Sequence, residues 1–166
     1  MEQMKEMRPK RPAELDRLNM FVGKWDGTGD AKFMGLDETL KTKGTSQTAW
    51  DCDGWYLVEH GEFEMGDMGR MHGLGVWTWD AKAKKYRMWW FDNWGATGTG
   101  TAEYDESTKT WSMNSKAAGP MGSMAGRGVV KMVDDKTVEW TWTEWPGWDL
   151  FHAFKVAEMK GTNKKK

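Results

Sequence analysis

The chain is 166 residues long, 39% apolar and 30% charged, a size and balance that fit one soluble globular domain with a single core. A formal net charge of −1 gives no field to gather nucleic acid or an anionic membrane, and no apolar run is long enough for a membrane helix. With Cys52 as the one cysteine, an intrachain disulfide and a cysteine-based metal cluster are both excluded.

Residues 1–11 are polar and basic and read as a flexible segment. They hold no hydrophobic stretch of the secretion-signal kind. The compartment therefore stays open: cytoplasmic for the sequence as it stands, exported if a signal peptide has been removed. Pro12 to Leu18 places proline near a first turn and acidic residues early, which predicts a short helix ending at Gly23. Leu15, Leu18 and Phe21 would face the core.

Beyond Gly23 the apolar period changes from helical to alternating. Trp25, Gly27, Gly29, Ala31 and Phe33 share one face, opposite Lys24, Asp26, Asp30 and Lys32. Leu40, Thr42, Ser46, Thr48, Trp50 and Cys52 share a face of the next segment. Further strands are predicted near 55–65, 70–79, 85–92, 97–104, 109–116, 125–133, 137–145 and 148–158. Asp80, Asp105 and Asp134 each open a short polar stretch between two of them, where a carboxylate holds the backbone ahead of it in a tight turn. About ten strands with no helix between them make an all-β antiparallel meander, and closing it into a barrel removes the exposed edges. The single barrel domain spans 12–160, with a basic tail at 161–166.

Glycines at G-x-G spacing, such as Gly73 and Gly75 or Gly126 and Gly128, fall inside predicted strands, where they permit the bending that closure needs. A phosphate-cradling loop would need a helix after each pair, and none follows.

The 13 tryptophans must either fill the barrel or wall a cavity within it. Trp25, Trp50, Trp55, Trp111, Trp140 and Trp142 fall on faces assigned inward and are the expected ligand-binding residues, offering flat apolar surfaces to a hydrophobic or aromatic molecule. Glu59 shares the parity of Trp55, Leu57 and Phe63 and joins that set. A buried carboxylate has a raised pKa and can anchor a cationic or hydroxylated group. Glu144 shares the parity of Trp140 and Trp142 and is expected at the barrel mouth, near Arg87 or Lys155. Alternation along 148–158 puts His152 on the inward face with Trp148, Leu150, Phe154 and Val156, which adds it to the ligand-binding set. Trp77, Trp79, Trp89, Trp90 and Trp94 include outward positions, and an exposed aromatic group there predicts a homodimer contact.

No catalytic residue is assigned. The chain has no G-x-S-x-G elbow, and Cys52 has no histidine partner in the sequence. His60 alternates with Glu62 and Glu64 on a wet face, and His72 sits beside Arg70, so the spacing requires no zinc site shared with His152.

Gly23-Lys24-Trp25, directly after a short helix, is similar to the G-x-W signature at the first strand of lipocalins and other calycins. Extended to Gly27 and Gly29, it also resembles the opening strand of nitrobindins, ten-stranded barrels that hold haem. Over 12–160 the chain most resembles a bacterial lipocalin-like family, domain of unknown function 1579. Four stretches carry that similarity: Phe21-Val-Gly-Lys-Trp25, Asp53-Gly-Trp-Tyr-Leu57 with Gly61, Trp89-Trp-Phe-Asp-Asn93, and Gly100-Thr-Ala-Glu-Tyr-Asp105. The resemblance implies a calycin-like barrel, and the nitrobindin likeness implies haem as cofactor with His152 as its axial ligand. Lipocalins set an arginine from late in the barrel over the G-x-W tryptophan, whereas the late strand here offers Lys155 and Lys160. Three functions follow as expectations: a barrel for a small hydrophobic or aromatic ligand, a haem barrel using His152, and a non-catalytic homo-oligomeric interaction module.

Overall fold

The computed structural model describes residues 9–120 and 122–166. The alternating segments form ten antiparallel strands: β1 (Gly23–Phe33), β2 (Leu40–Asp51), β3 (Tyr56–Glu64), β4 (Arg70–Asp80), β5 (Lys85–Asp92), β6 (Thr97–Asp105), β7 (Thr110–Gly119), β8 (Gly122–Asp134), β9 (Thr137–Pro146) and β10 (Ala157–Lys165). Each pairs with its neighbours in sequence. β1 also pairs with β10, Trp25 opposite Lys165 and Phe33 opposite Ala157, so the sheet closes into a barrel without a free edge. The three aspartate turns form as expected. Asp80 Oδ1 accepts the N–H of Lys82 at 3.0 Å, Asp105 Oδ1 that of Ser107 at 2.8 Å, and Asp134 Oδ1 that of Lys136 at 2.8 Å.

A 3-10 helix (Ala13–Phe21) plugs the end of the barrel where β1 begins. Its Leu15 and Leu18 are fully buried against Leu57, Tyr86, Ala102 and Trp111, with Phe21 and Trp77 packed around them. Polar contacts fix its orientation: the Tyr86 hydroxyl donates to the Glu14 carbonyl at 2.7 Å, Trp50 Nε1 to Asn19 Oδ1 at 2.7 Å, and Trp25 Nε1 to the Phe21 carbonyl at 2.9 Å. Each buried ring N–H or hydroxyl thereby finds an acceptor that the helix supplies. Arg11 donates to the Gly54 carbonyl at 2.6 Å and lies 4.7 Å over the Trp50 ring, so the chain is anchored from there onward. Residues 1–8 of the segment expected to be flexible lie outside the described residues.

The final strand is displaced from its expected position. β10 spans Ala157–Lys165 rather than 148–158, so residues read as a basic tail complete the barrel. Pro146 and Gly147 end β9, and the chain then folds on itself. The buried Asp149 carboxylate accepts the Phe154 N–H at 2.7 Å, the His152 N–H reaches the Asp149 carbonyl at 3.2 Å, and His152 takes a left-handed φ of 54°. The apolar alternation of 148–154 belongs to a loop. Its Leu150 and Phe151 are 82% and 93% exposed, with Trp148 and Phe154 also turned to solvent.

Candidate functional site

The inward face of the barrel changes character from the plugged end to the other. Away from the helix, large rings stand opposite glycines: Trp90 on β5 pairs with Gly75 and Gly98, Trp142 on β9 with Gly128, and Trp140 with Gly161 on β10. A residue without a Cβ leaves room for a neighbouring ring to lie down over its backbone. The point where a Cβ would stand is 2.1 Å from the Trp90 ring at Gly73, 2.2 Å from Trp142 at Gly128 and 2.6 Å from Trp140 at Gly161. The indoles therefore lie along the wall instead of across the lumen. Their ring N–H groups are satisfied on the same wall: Trp90 to Asp92 Oδ2 at 3.1 Å, Trp140 to Asn163 Oδ1 at 3.0 Å, and Trp142 to Glu144 Oε1 at 2.9 Å. All three stay only partly buried although they point into a closed barrel, whereas Trp111 at the plugged end has no accessible surface. The half of the barrel away from the helix is thus less tightly filled than the plugged end.

Three carboxylates share that half. Glu59, on β3, is surrounded by protein yet keeps some accessible surface, as a side chain lining a cavity does. Burial pushes its pKa up, opposed by a hydrogen bond from Ser46. A Cβ on Gly75 would stand 3.5 Å from Glu59 Oε2 and 3.7 Å from the Trp90 ring, so carboxylate and indole flank one glycine. Glu144 is likewise raised by burial, with the Trp142 N–H lowering it and the charge of Asp92 raising it again. Asp92 and Glu144 both lie on inward faces at the unplugged end. Asp92 Oδ1 accepts the N–H groups of Trp94 and Ala96, each at 3.0 Å, which pins its carboxylate to the β5–β6 turn. Among the described residues, none of the three pairs with a lysine or arginine.

The residues singled out from sequence divide accordingly. Glu59, Trp140 and Trp142 share the inward face away from the helix, with Trp142 also packed against the core beneath it. Trp25, Trp50, Trp55 and Trp111 gather instead around the plug, where they pack: Trp25 is 4% exposed, and Trp111 donates its N–H to Met20 Sδ at 3.1 Å. Trp111 has no surface to offer a ligand, which corrects its expected role. His152 is corrected too. It lies in the β9–β10 loop with its ring 4.5 Å from that of Trp145, a residue of opposite parity to the lumen-facing Trp142 and Glu144. His60 and His72 face outward, His72 Nδ1 standing 3.6 Å from Glu62 Oε1. Among the described residues no group of three or more His, Cys, Asp or Glu is arranged to hold a metal ion.

The aromatic group at 77–94 divides between the two faces, with Trp94 half-buried in the β5–β6 turn. Trp77 and Trp79 pack on the plug and Trp90 on the lumen wall, leaving Trp89 outside beneath Arg87. Glu144 takes Trp142 as its partner, not Arg87 or Lys155. Lys165, a strand residue beyond those read as the last strand, brings its ammonium 5.5 Å from the Trp25 ring, the position the G-x-W resemblance reserves for an arginine. Trp90 and Asp92 were missed as lumen residues. Their signal was the spacing Trp-x-Asp, repeated as Trp142-x-Glu144, which puts an indole N–H and a carboxylate on one face of a strand.

A groove of about 650 Å³ crosses β1 to β5, lined by the outward Gln47, His60, His72 and Phe91 and reaching Trp25 and Asp92. It lies open to solvent between charged side chains such as Lys24 and Lys166.

The fold is similar to that of two solved structures. Rv2717c from M. tuberculosis matches with a TM-score of 0.69 and 10% identity, over 95% of this chain and 99% of that one. A de novo designed fluorescence-activating β-barrel matches with a TM-score of 0.50 and 13% identity, over 91% of this chain and 98% of that one. At these identities the likeness is one of fold. No curated protein matches the sequence, and no helix is long and apolar enough to cross a membrane. Residues 11–149 match the family described as "Protein of unknown function (DUF1579)", and the chain belongs to that family.

Proposed function

We propose that this protein is a non-catalytic binding barrel that takes a small hydrophobic or aromatic molecule into the open half of its lumen. One observation carries the reading: Trp90, Trp140 and Trp142 lie over glycines with their N–H groups satisfied, and they stay only partly buried on the inner wall of a closed barrel. Such faces gain by covering their apolar area, at about 25 cal/mol per Å² removed from water, and they stack flat molecules without rearranging. The designed fluorescence-activating barrel supports it by sharing the architecture. The test is a titration of intrinsic tryptophan fluorescence with naphthalene-sized neutral aromatics. Saturable quenching in the wild type, weakened about tenfold in Trp142→Ala, is the expected result. No response to any of them in the wild type overturns the reading.

A second reading, self-association, is favoured by a surface other than the one expected. The β9–β10 loop turns Trp148, Leu150, Phe151 and Phe154 outward, and the Asp149 carboxylate holds it in that shape.

A further inference from the structure

Resting on the lumen-binding reading, we propose that the ligand is an organic cation: an amine or quaternary ammonium group on an apolar or aromatic body. Three lumen carboxylates, Glu59, Asp92 and Glu144, have no basic partner among the described residues. Lysine is not scarce on the outside, where Lys41 meets Asp30 and Lys85 meets Glu103, each at 2.6 Å. Inside, Lys165 is the one lysine among the described residues brought close to an indole, and it is taken up with Trp25 at the plugged end.

The walls carry the same sign independently of the carboxylates. An indole presents the negative pole of its quadrupole at its face, and a cation within about 6 Å of the centroid is attracted to it. Trp90 and Trp142 donate their N–H to Asp92 and Glu144, so each positive ring edge is turned into the wall and each negative face toward the lumen. Glu59 is enclosed beside Trp90, a carboxylate removed from bulk water and supported by Ser46. A neutral occupant would leave Glu59 and Glu144 without a counter-charge, and an anion would be repelled by all three carboxylates. A cation on an apolar body answers both the charge and the ring faces.

The experiment compares three near-isosteres, 2-phenylethylamine, 2-phenylethanol and phenylacetate, by calorimetric titration into the full chain. The amine should bind about tenfold tighter than the alcohol, and phenylacetate weakest. Glu59→Gln should erode the advantage of the amine over the alcohol, and Asp92→Asn or Glu144→Gln serves if that variant fails to fold. Trp142→Ala should weaken amine and alcohol alike, which places both in the lumen. Equal binding of amine and alcohol overturns the cation inference and leaves the lumen reading standing. Binding of none of the three, with no quenching by the neutral aromatics either, overturns both.

Discussion

The packing of Trp142 over the bare backbone of β8 makes glycine at position 128 a structural requirement, and Gly128→Ala measures it. A Cβ there would stand 2.2 and 2.5 Å from two carbons of the Trp142 ring and 3.0 Å from Met113 Cε. Carbon atoms rest about 3.5 Å apart, so the indole would have to retreat roughly 1 Å into the lumen. That movement also stretches its 2.9 Å bond to Glu144. Overpacking of this kind costs about 1–3 kcal/mol, partly offset by the entropy a glycine no longer loses on folding. For a chain of this length, 1 kcal/mol shifts Tm by roughly 2–4 °C, so Gly128→Ala should melt about 3–8 °C below the wild type. Gly75→Ala is the matched control. Its new Cβ would meet nothing closer than 3.5 Å, and its φ is not left-handed. It should melt at the wild-type temperature or up to about 3 °C above it. Thermal unfolding followed by circular dichroism reads both. A Gly128→Ala Tm equal to the wild type, or an equal loss in Gly75→Ala, would refute the flat-ring arrangement.

Two further expectations concern charge and surface. Glu59 keeps its proton in the folded state above its ordinary value of 4.5, while the unfolded chain has lost it, so its contribution to stability falls as pH rises through that window and the full cost remains above it. Glu59→Gln should therefore raise Tm at pH 8 and change it little at pH 4, and a gain of equal size at both would count against a desolvated carboxylate. Self-association through the β9–β10 loop predicts a concentration-dependent dimer by light scattering that Phe151→Glu returns to 19.1 kDa. A strict wild-type monomer at high concentration would dismiss that surface.

Nine of the ten strands were legible because strand period is a local property: inward and outward side chains alternate, and each turn aspartate closes on its own backbone. The plugging helix showed itself the same way, through proline near its start and the pair Leu15 and Leu18. The tenth strand was not legible. Residues 148–156 carry the apolar alternation of a strand, but Asp149 captures local N–H groups and the segment stays in a loop. Ala157–Lys165 is nearly all polar or glycine, and it is a strand because of what stands beside it: Gly161 and Asn163 accommodate Trp140, and Lys165 covers Trp25. The site divides along the same line. Parity along each strand determined that Glu59, Trp140 and Trp142 point inward, since that follows from the pleat. Which inward tryptophans are sealed beneath the helix and which keep open faces depends on where the chain's ends meet around the barrel. That is settled by the closure of β1 on β10 and the docking of the plug at one end, both long-range contacts that no local period encodes.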